Sequence, residues 1–90
     1  MPTLRGQVTA HGEAALSAVV ELHNSEGDVL DQVQVDGEGG YIYHLVPGRW
    51  QLNAWDAHGH RGTAQVEINE GDEDSVVDLE LSEAEAVTDG

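Results

Sequence analysis

Two groups of residues in this chain have the types and spacing for chemistry. His58 and His60 stand two apart in the glycine-containing stretch Asp56-Ala57-His58-Gly59-His60. Two imidazoles beside a carboxylate suit one divalent transition-metal ion, so the candidate metal set is His58, His60 and Asp56. Against it stands the need for three or four fixed ligands, and loop histidines are more often simply solvated. The second group is Trp55 with Gln51, Asn53, His44 and Ile42. An indole beside amides and an imidazole suits stacking on a sugar ring, or a hot spot for a protein partner. The plainer reading is that Trp55 covers a sheet edge or packs under a loop.

Other chemistries lack their residues. There is no cysteine, so neither a disulfide nor a thiolate zinc site can form. No local motif marks a Ser-His-Asp or Cys-His nucleophile, which predicts a non-catalytic protein without a cofactor. The acidic stretches 36–38 and 69–74 are oxygen-rich turns of the kind that hold calcium. Neither has the ligand order of an EF-hand, and acidic turns are usually just solvated.

The elements that must position these groups follow from apolar residues on a two-residue beat. In 41–46, Tyr41, Tyr43 and Leu45 share one face; in 49–56, Trp50, Leu52 and Ala54 do. With Pro47-Gly48 between them, the two segments read as a hairpin whose inner face holds Trp50 in the core. Gln51, Asn53 and Trp55 then point outward, with Ile42 and His44 beside them on the partner strand. Further strands are predicted over 4–9, 18–23, 29–35, 63–68 and 77–81. Val29 and Leu30 break the alternation of the third, which a bulge explains. Seven short strands separated by turn signals predict an all-β, antiparallel Greek-key sandwich, with a small closed barrel as the alternative. Leu4, Val8, Val20, Leu22, Val66, Ile68, Val77 and Leu79 complete the predicted core.

Ninety residues make one small domain, expected over 1–81, with 82–90 as a disordered acidic tail. Eighteen carboxylates face three arginines and no lysine, for a formal net charge of −15. Nucleic acid and anionic membrane surfaces need clustered cations, so neither is an expected partner. The acidity fits high solubility, adaptation to a salty cytoplasm, or docking of a basic partner. No apolar run is long enough to span a membrane. The first residues lack a secretory pattern, so the chain as written is expected to be cytoplasmic, or extracellular if it is a domain cut from a longer precursor. Many carboxylates argue against edge-to-edge association, so a monomer is expected. Without lysine, the isopeptide crosslink of some bacterial surface sandwiches cannot form.

Gly6-x-Val8, Ala18-Val19-x-Glu21-Leu22, Asp36 through Gly40-Tyr41, Pro47-Gly48-x-Trp50-x-Leu52 and Gly59 together resemble the carboxypeptidase regulatory-like domain. The likeness covers roughly residues 4–68 and is most specific at the Gly-Tyr and Pro-Gly-x-Trp-x-Leu segments; Trp50 stands where many members have tyrosine. It resembles the variant in small single-domain bacterial proteins. The resemblance implies a seven-stranded transthyretin-like (prealbumin-like) sandwich, used as a non-catalytic accessory, structural or binding module. Among transthyretin relatives, the hydrolase of 5-hydroxyisourate carries a terminal Tyr-Arg-Gly-Ser, and this chain has Ala86-Val87-Thr88-Asp89-Gly90 there. That activity is not expected.

Overall fold

Alternation of more and less buried side chains runs through most strands of the computed structural model, which describes residues 2–71 and 73–83. Nine strands occur among them: β1 (Thr3–Ala10), β2 (Glu13–Ala14), β3 (Val19–His23), β4 (Val29–Gln34), β5 (Gly40–His44), β6 (Gly48–Trp55), β7 (His60–Ile68), β8 (Asp74–Val76) and β9 (Leu79–Glu83). All seven predicted strands are present, and the described residues contain no helix. The two additional strands, β2 and β8, are three residues or shorter. β9 runs to Glu83, two residues into the predicted tail; 84–90 lie outside the described residues.

The sheet runs β2-β1-β9-β7-β6-β3-β4, with β5 and β8 paired to the first half of β1. It curls so that β5, β1 and β8 lie across one core from β4, β3, β6 and β7, giving a β-sandwich-like fold. β1 belongs to both layers. Residues 3–7 pair with β5, and Val8, Thr9 and Ala10 pair in parallel with Leu79, Glu80 and Leu81 of β9. Gly6 lies where the β8–β9 connection runs alongside β1, in the same parallel register as β8 and β9. A Cβ there would sit 1.8 Å from the Val77 carbonyl oxygen, so only glycine admits this close approach.

The predicted hairpin of 41–46 with 49–56 does not form. β5 pairs with β1, whereas β6 is central in the other layer, between β3 and β7. Pro47 supplies the physical reason. Two-residue hairpins need a positive φ at the first turn position, and proline fixes φ near −65°. Pro47-Gly48 therefore carries the chain from one layer to the other. Tyr43 spans the gap inside, where its hydroxyl donates to the Val20 carbonyl oxygen at 3.0 Å.

The bulge predicted at Val29–Leu30 is present: Leu22 pairs with Asp31 but His23 with Val29. The core holds all the predicted apolar residues except Trp50 and Val77, which are only partly buried, and adds Ala15, Ala18, Val35 and Leu81. Trp50 faces inward on β6 but lies one residue beyond the end of its pairing with β3, so one flank of the indole is uncovered. Its Nε1 donates to the Val46 carbonyl oxygen at 3.1 Å.

Candidate functional site

Three of the connections are copies of one five-residue loop. In each, an Asn or Asp side-chain oxygen accepts the N–H groups two and four residues on, and a glycine three residues on takes a positive φ. Asn24 accepts from Glu26 and Asp28 (both 2.9 Å), Asp36 from Glu38 and Gly40 (both 2.8 Å), and Asp56 from His58 and His60 (both 2.9 Å). Gly27, Gly39 and Gly59 hold φ of 88°, 83° and 88°. These are Asx turns, and they close the backbone with the side chain. The bonds from Gly40 and Glu38 hold the Asp36 carboxyl below its ordinary value.

The third loop differs from the others because its acid is buried. The Asp56 side chain is 3% exposed, and its Oδ2 accepts a 2.7 Å hydrogen bond from His60 Nδ1. Burial alone would push this carboxyl up. The His60 ring, with the backbone N–H groups of His60 and His58, outweighs it and holds the carboxyl below the ordinary range.

The loop set expected to take a metal is therefore arranged otherwise than its spacing suggested. Asp56 is committed to its own loop, with both oxygens engaged. His58 is exposed, its ring 6.3 Å from that of His60. His60 instead approaches His11 and Glu83, and these three are where metal-capable side chains converge among the described residues. Among the described residues, the acidic stretches 36–38 and 69–74 contribute no such group.

The outer face of β4-β3-β6-β7 is the second candidate surface. Cross-strand register places Gln34, Val19, Trp55 and Arg61 in one row, and Gln32, Glu21, Asn53 and Thr63 in the next. His23, Gln51 and Gln65 follow, and the Arg49–Glu67 pair closes the face. Trp55 thus lies outward as predicted and is half-buried between Val19 and Arg61. Polar side chains cluster beside it: Gln51 Nε2 donates to Asn53 Oδ1 at 3.1 Å, and His23 Nε2 lies 2.8 Å from Glu21 Oε1, to which its N–H donates, with Asn53 Nδ2 3.1 Å away. His23 and Glu21 are only 14% and 20% exposed. Shallow grooves flank the face at both ends. One of about 450 Å³ runs beside Asn53, Trp55, Arg61 and Thr63, and one of about 710 Å³ beside Arg49, Trp50, Gln51 and Gln65.

The charge on this face departs from that of the molecule. Across these rows Arg49 and Arg61 balance Glu21 and Glu67, and the rest are uncharged: amides, hydroxyl, imidazole, indole and the aliphatic Val19 and Val29, in a chain of net charge −15.

Of the residues predicted to bind ligand, Trp55, Gln51 and Asn53 share this face, whereas Ile42 and His44 do not. They sit in the other layer, where Ile42 pairs with Arg5 and His44 with Thr3, whose Oγ1 is 3.3 Å from His44 Nδ1. The separation follows from the failed hairpin. Sequence reasoning missed Glu21, His23, Arg61, Thr63 and Gln65. The outward parity of Glu21 and His23 was readable from Val20 and Leu22, but the pairing of β3 with β6 was not.

Fold and site define an all-β, β-sandwich-like domain with a neutral polar sheet face. The chain belongs to the DUF1416 family, a protein of unknown function, whose model matches residues 2–81. No curated protein matches it in sequence. Among solved structures it is similar to a DUF3823 family protein from Parabacteroides merdae (20% identity, TM-score 0.65, 89% of this chain and 45% of that one). It is similar also to "putative polysaccharide binding proteins (DUF1812)" from Bacteroides thetaiotaomicron (11% identity, TM-score 0.68, 90% and 47%). A DUF3823 family protein from Bacteroides ovatus gives 19% identity, a TM-score of 0.65, and coverage of 90% and 44%. The chain spans less than half the length of each. At these identities the likeness is one of fold. The resemblance to carboxypeptidase regulatory-like domains agrees with it at the level of a β-sandwich-like fold.

Proposed function

We propose that this domain is a non-catalytic module that binds a neutral polysaccharide on the outer face of β3-β6-β7. The observation that carries the reading is the register that sets Trp55 between Val19 and Arg61, beside the paired side chains Gln51–Asn53 and His23–Glu21. Sugar rings present an apolar C–H face and a rim of hydroxyls. An indole takes the first, and fixed amides and carboxylates take the second. Preorganisation limits the ordering cost of binding, because the polar groups are already tied to one another. From Gln51 to Trp55 the strand rises about 13 Å, room for more than one ring.

The neutral charge of the face supports an uncharged ligand over a basic protein, which would be drawn to the acidic remainder of the surface. The DUF1812 proteins, described as putative polysaccharide binding proteins, lend the reading support through a shared fold. So does the accessory habit of carboxypeptidase regulatory-like domains. The test is calorimetric titration with soluble neutral glucans, xylans and mannans. Binding should be insensitive to salt and absent in Trp55→Ala. A purely structural module would bind none of them.

A further inference from the structure

We propose that His11, His60 and Glu83 form a binding site for a single divalent transition-metal ion of the zinc class, independent of the sheet face. The ligand atom that each offers lies within 4.8 Å of the other two. His11 Nε2 is 3.8 Å from Glu83 Oε2, and the two imidazole rings meet edge to face at 5.0 Å. Two imidazoles and one carboxylate are the donors that zinc-like ions take, at about 2.0–2.2 Å, in a tetrahedral shell. Calcium and magnesium want oxygen ligands throughout. A small inward movement of exposed His11 and Glu83 closes the triangle.

The fold assembles this set from residues far apart in sequence. β1, β9 and β7 are adjacent in the sheet, and each delivers one ligand from its end. Glu83 pairs with His60 in register, and His11 follows directly after Ala10, which pairs with Leu81. Two features go beyond coincidental proximity. First, Asp56 holds His60 Nδ1 from the interior, leaving Nε2 as the coordinating atom. A buried carboxylate behind a histidine is the arrangement that fixes tautomer and ring direction in metal sites. Second, His11 has a φ of 55°, the one non-glycine residue in the left-handed region among the described residues. The β1–β2 turn is a His-Gly pair where glycine would be less strained, and a non-glycine residue kept in such a conformation is a reason to look for a function. Three protein ligands leave a fourth position open to solvent.

The experiment uses the full chain stripped with chelator, titrated with Zn²⁺ by calorimetry and with Co²⁺ by visible absorption. One ion per chain is expected, with a tetrahedral cobalt spectrum and no competition from equimolar Mg²⁺. His11→Asn and Glu83→Gln should each weaken binding at least tenfold while leaving the melting temperature of the metal-free protein unchanged or higher. Both side chains are exposed, so folding does not confound them. Asp56→Asn should weaken it by about tenfold or more although Asp56 touches no metal. No zinc binding, or equal affinity in wild type and the His11→Asn and Glu83→Gln variants, would overturn the site. So would several equivalent ions that Mg²⁺ displaces, because that is the behaviour of a merely acidic surface.

Discussion

The carboxylate of Asp56 sits inside the fold, 2.7 Å from the ring Nδ1 of His60 four residues on, and at the same time accepts two backbone N–H groups of the loop between them. One side chain thus closes the β6–β7 turn and aims an imidazole out of the end of the sandwich. The same loop geometry at Asn24 and Asp36 lacks the second task, because Asp28 and Gly40 stand where His60 stands. Replacing Asp56 with alanine leaves those N–H groups and the ring unpartnered. The expected cost is about 2–4 kcal/mol, read from urea melts. A loss under about 1 kcal/mol would mean that the loop closes without its acid.

Gly6→Ala should be more damaging than its half-buried position in a small domain suggests. The added methyl meets a backbone carbonyl of the segment that runs beside β1, which has no rotamer to yield. Moving it also strains two bonds that fasten the segment, from Val77 N to the Arg5 carbonyl oxygen and from Gln7 N to Asp78 Oδ1. Overpacking of this kind costs about 3 kcal/mol or more. Thermal melting would show it, and a melting point within a few degrees of wild type would refute the close approach of Val77 to Gly6.

Leu52 and Trp50 test where the core ends. Read by alternation alone, Trp50 is a core aromatic whose loss costs about 3–5 kcal/mol. The structure leaves one flank of its indole open, whereas Leu52 is 0% exposed. Leu52→Ala should therefore destabilise by about 3–4 kcal/mol and Trp50→Ala by about 2–3 kcal/mol, the reverse of what side-chain size predicts. Chemical denaturation of the two variants settles the order.

These cases show what the sequence could convey. Period-two patterning exposed every long strand and the direction of Trp55, because burial on one face is written locally in residue type. Strand pairing is not local. Tyr41 and Tyr43 alternate identically whether β5 lies beside β6 or beside β1, and the clue against the hairpin was the sign of φ that Pro47 imposes. Ile42 and His44 were misplaced for that reason alone. The repeated loop was legible, as Asn24-x-x-Gly27, Asp36-x-x-Gly39 and Asp56-x-x-Gly59, but its third copy looked like a ligand set. Convergence of His11, His60 and Glu83 depends on the order β1-β9-β7, which nothing near those residues announces.

Tyr43 predicts the behaviour at alkaline pH. Burial, reinforced by the carboxylates of Asp31 and Glu21, pushes its phenol up to about 12 from the ordinary 10.0. Burial raises Tyr41 further, with Asp78 beside it. A group whose folded value is raised binds its proton more tightly in the folded state, so its contribution is complete below pH 10 and is lost as pH climbs toward 12. Ultraviolet titration should therefore show no phenolate near pH 10 in the folded protein and abrupt ionisation of both tyrosines on unfolding. Gradual titration centred at 10 would place the phenols in solvent.

Binding on the neutral sheet face is decided by calorimetric titration of a soluble neutral polysaccharide panel into wild type, Trp55→Ala and Trp50→Phe. Heat of binding to at least one glycan is expected at low and high salt, abolished in Trp55→Ala and kept within a few-fold in Trp50→Phe. Absence of binding across the panel, or binding that survives the loss of Trp55, would contradict that reading.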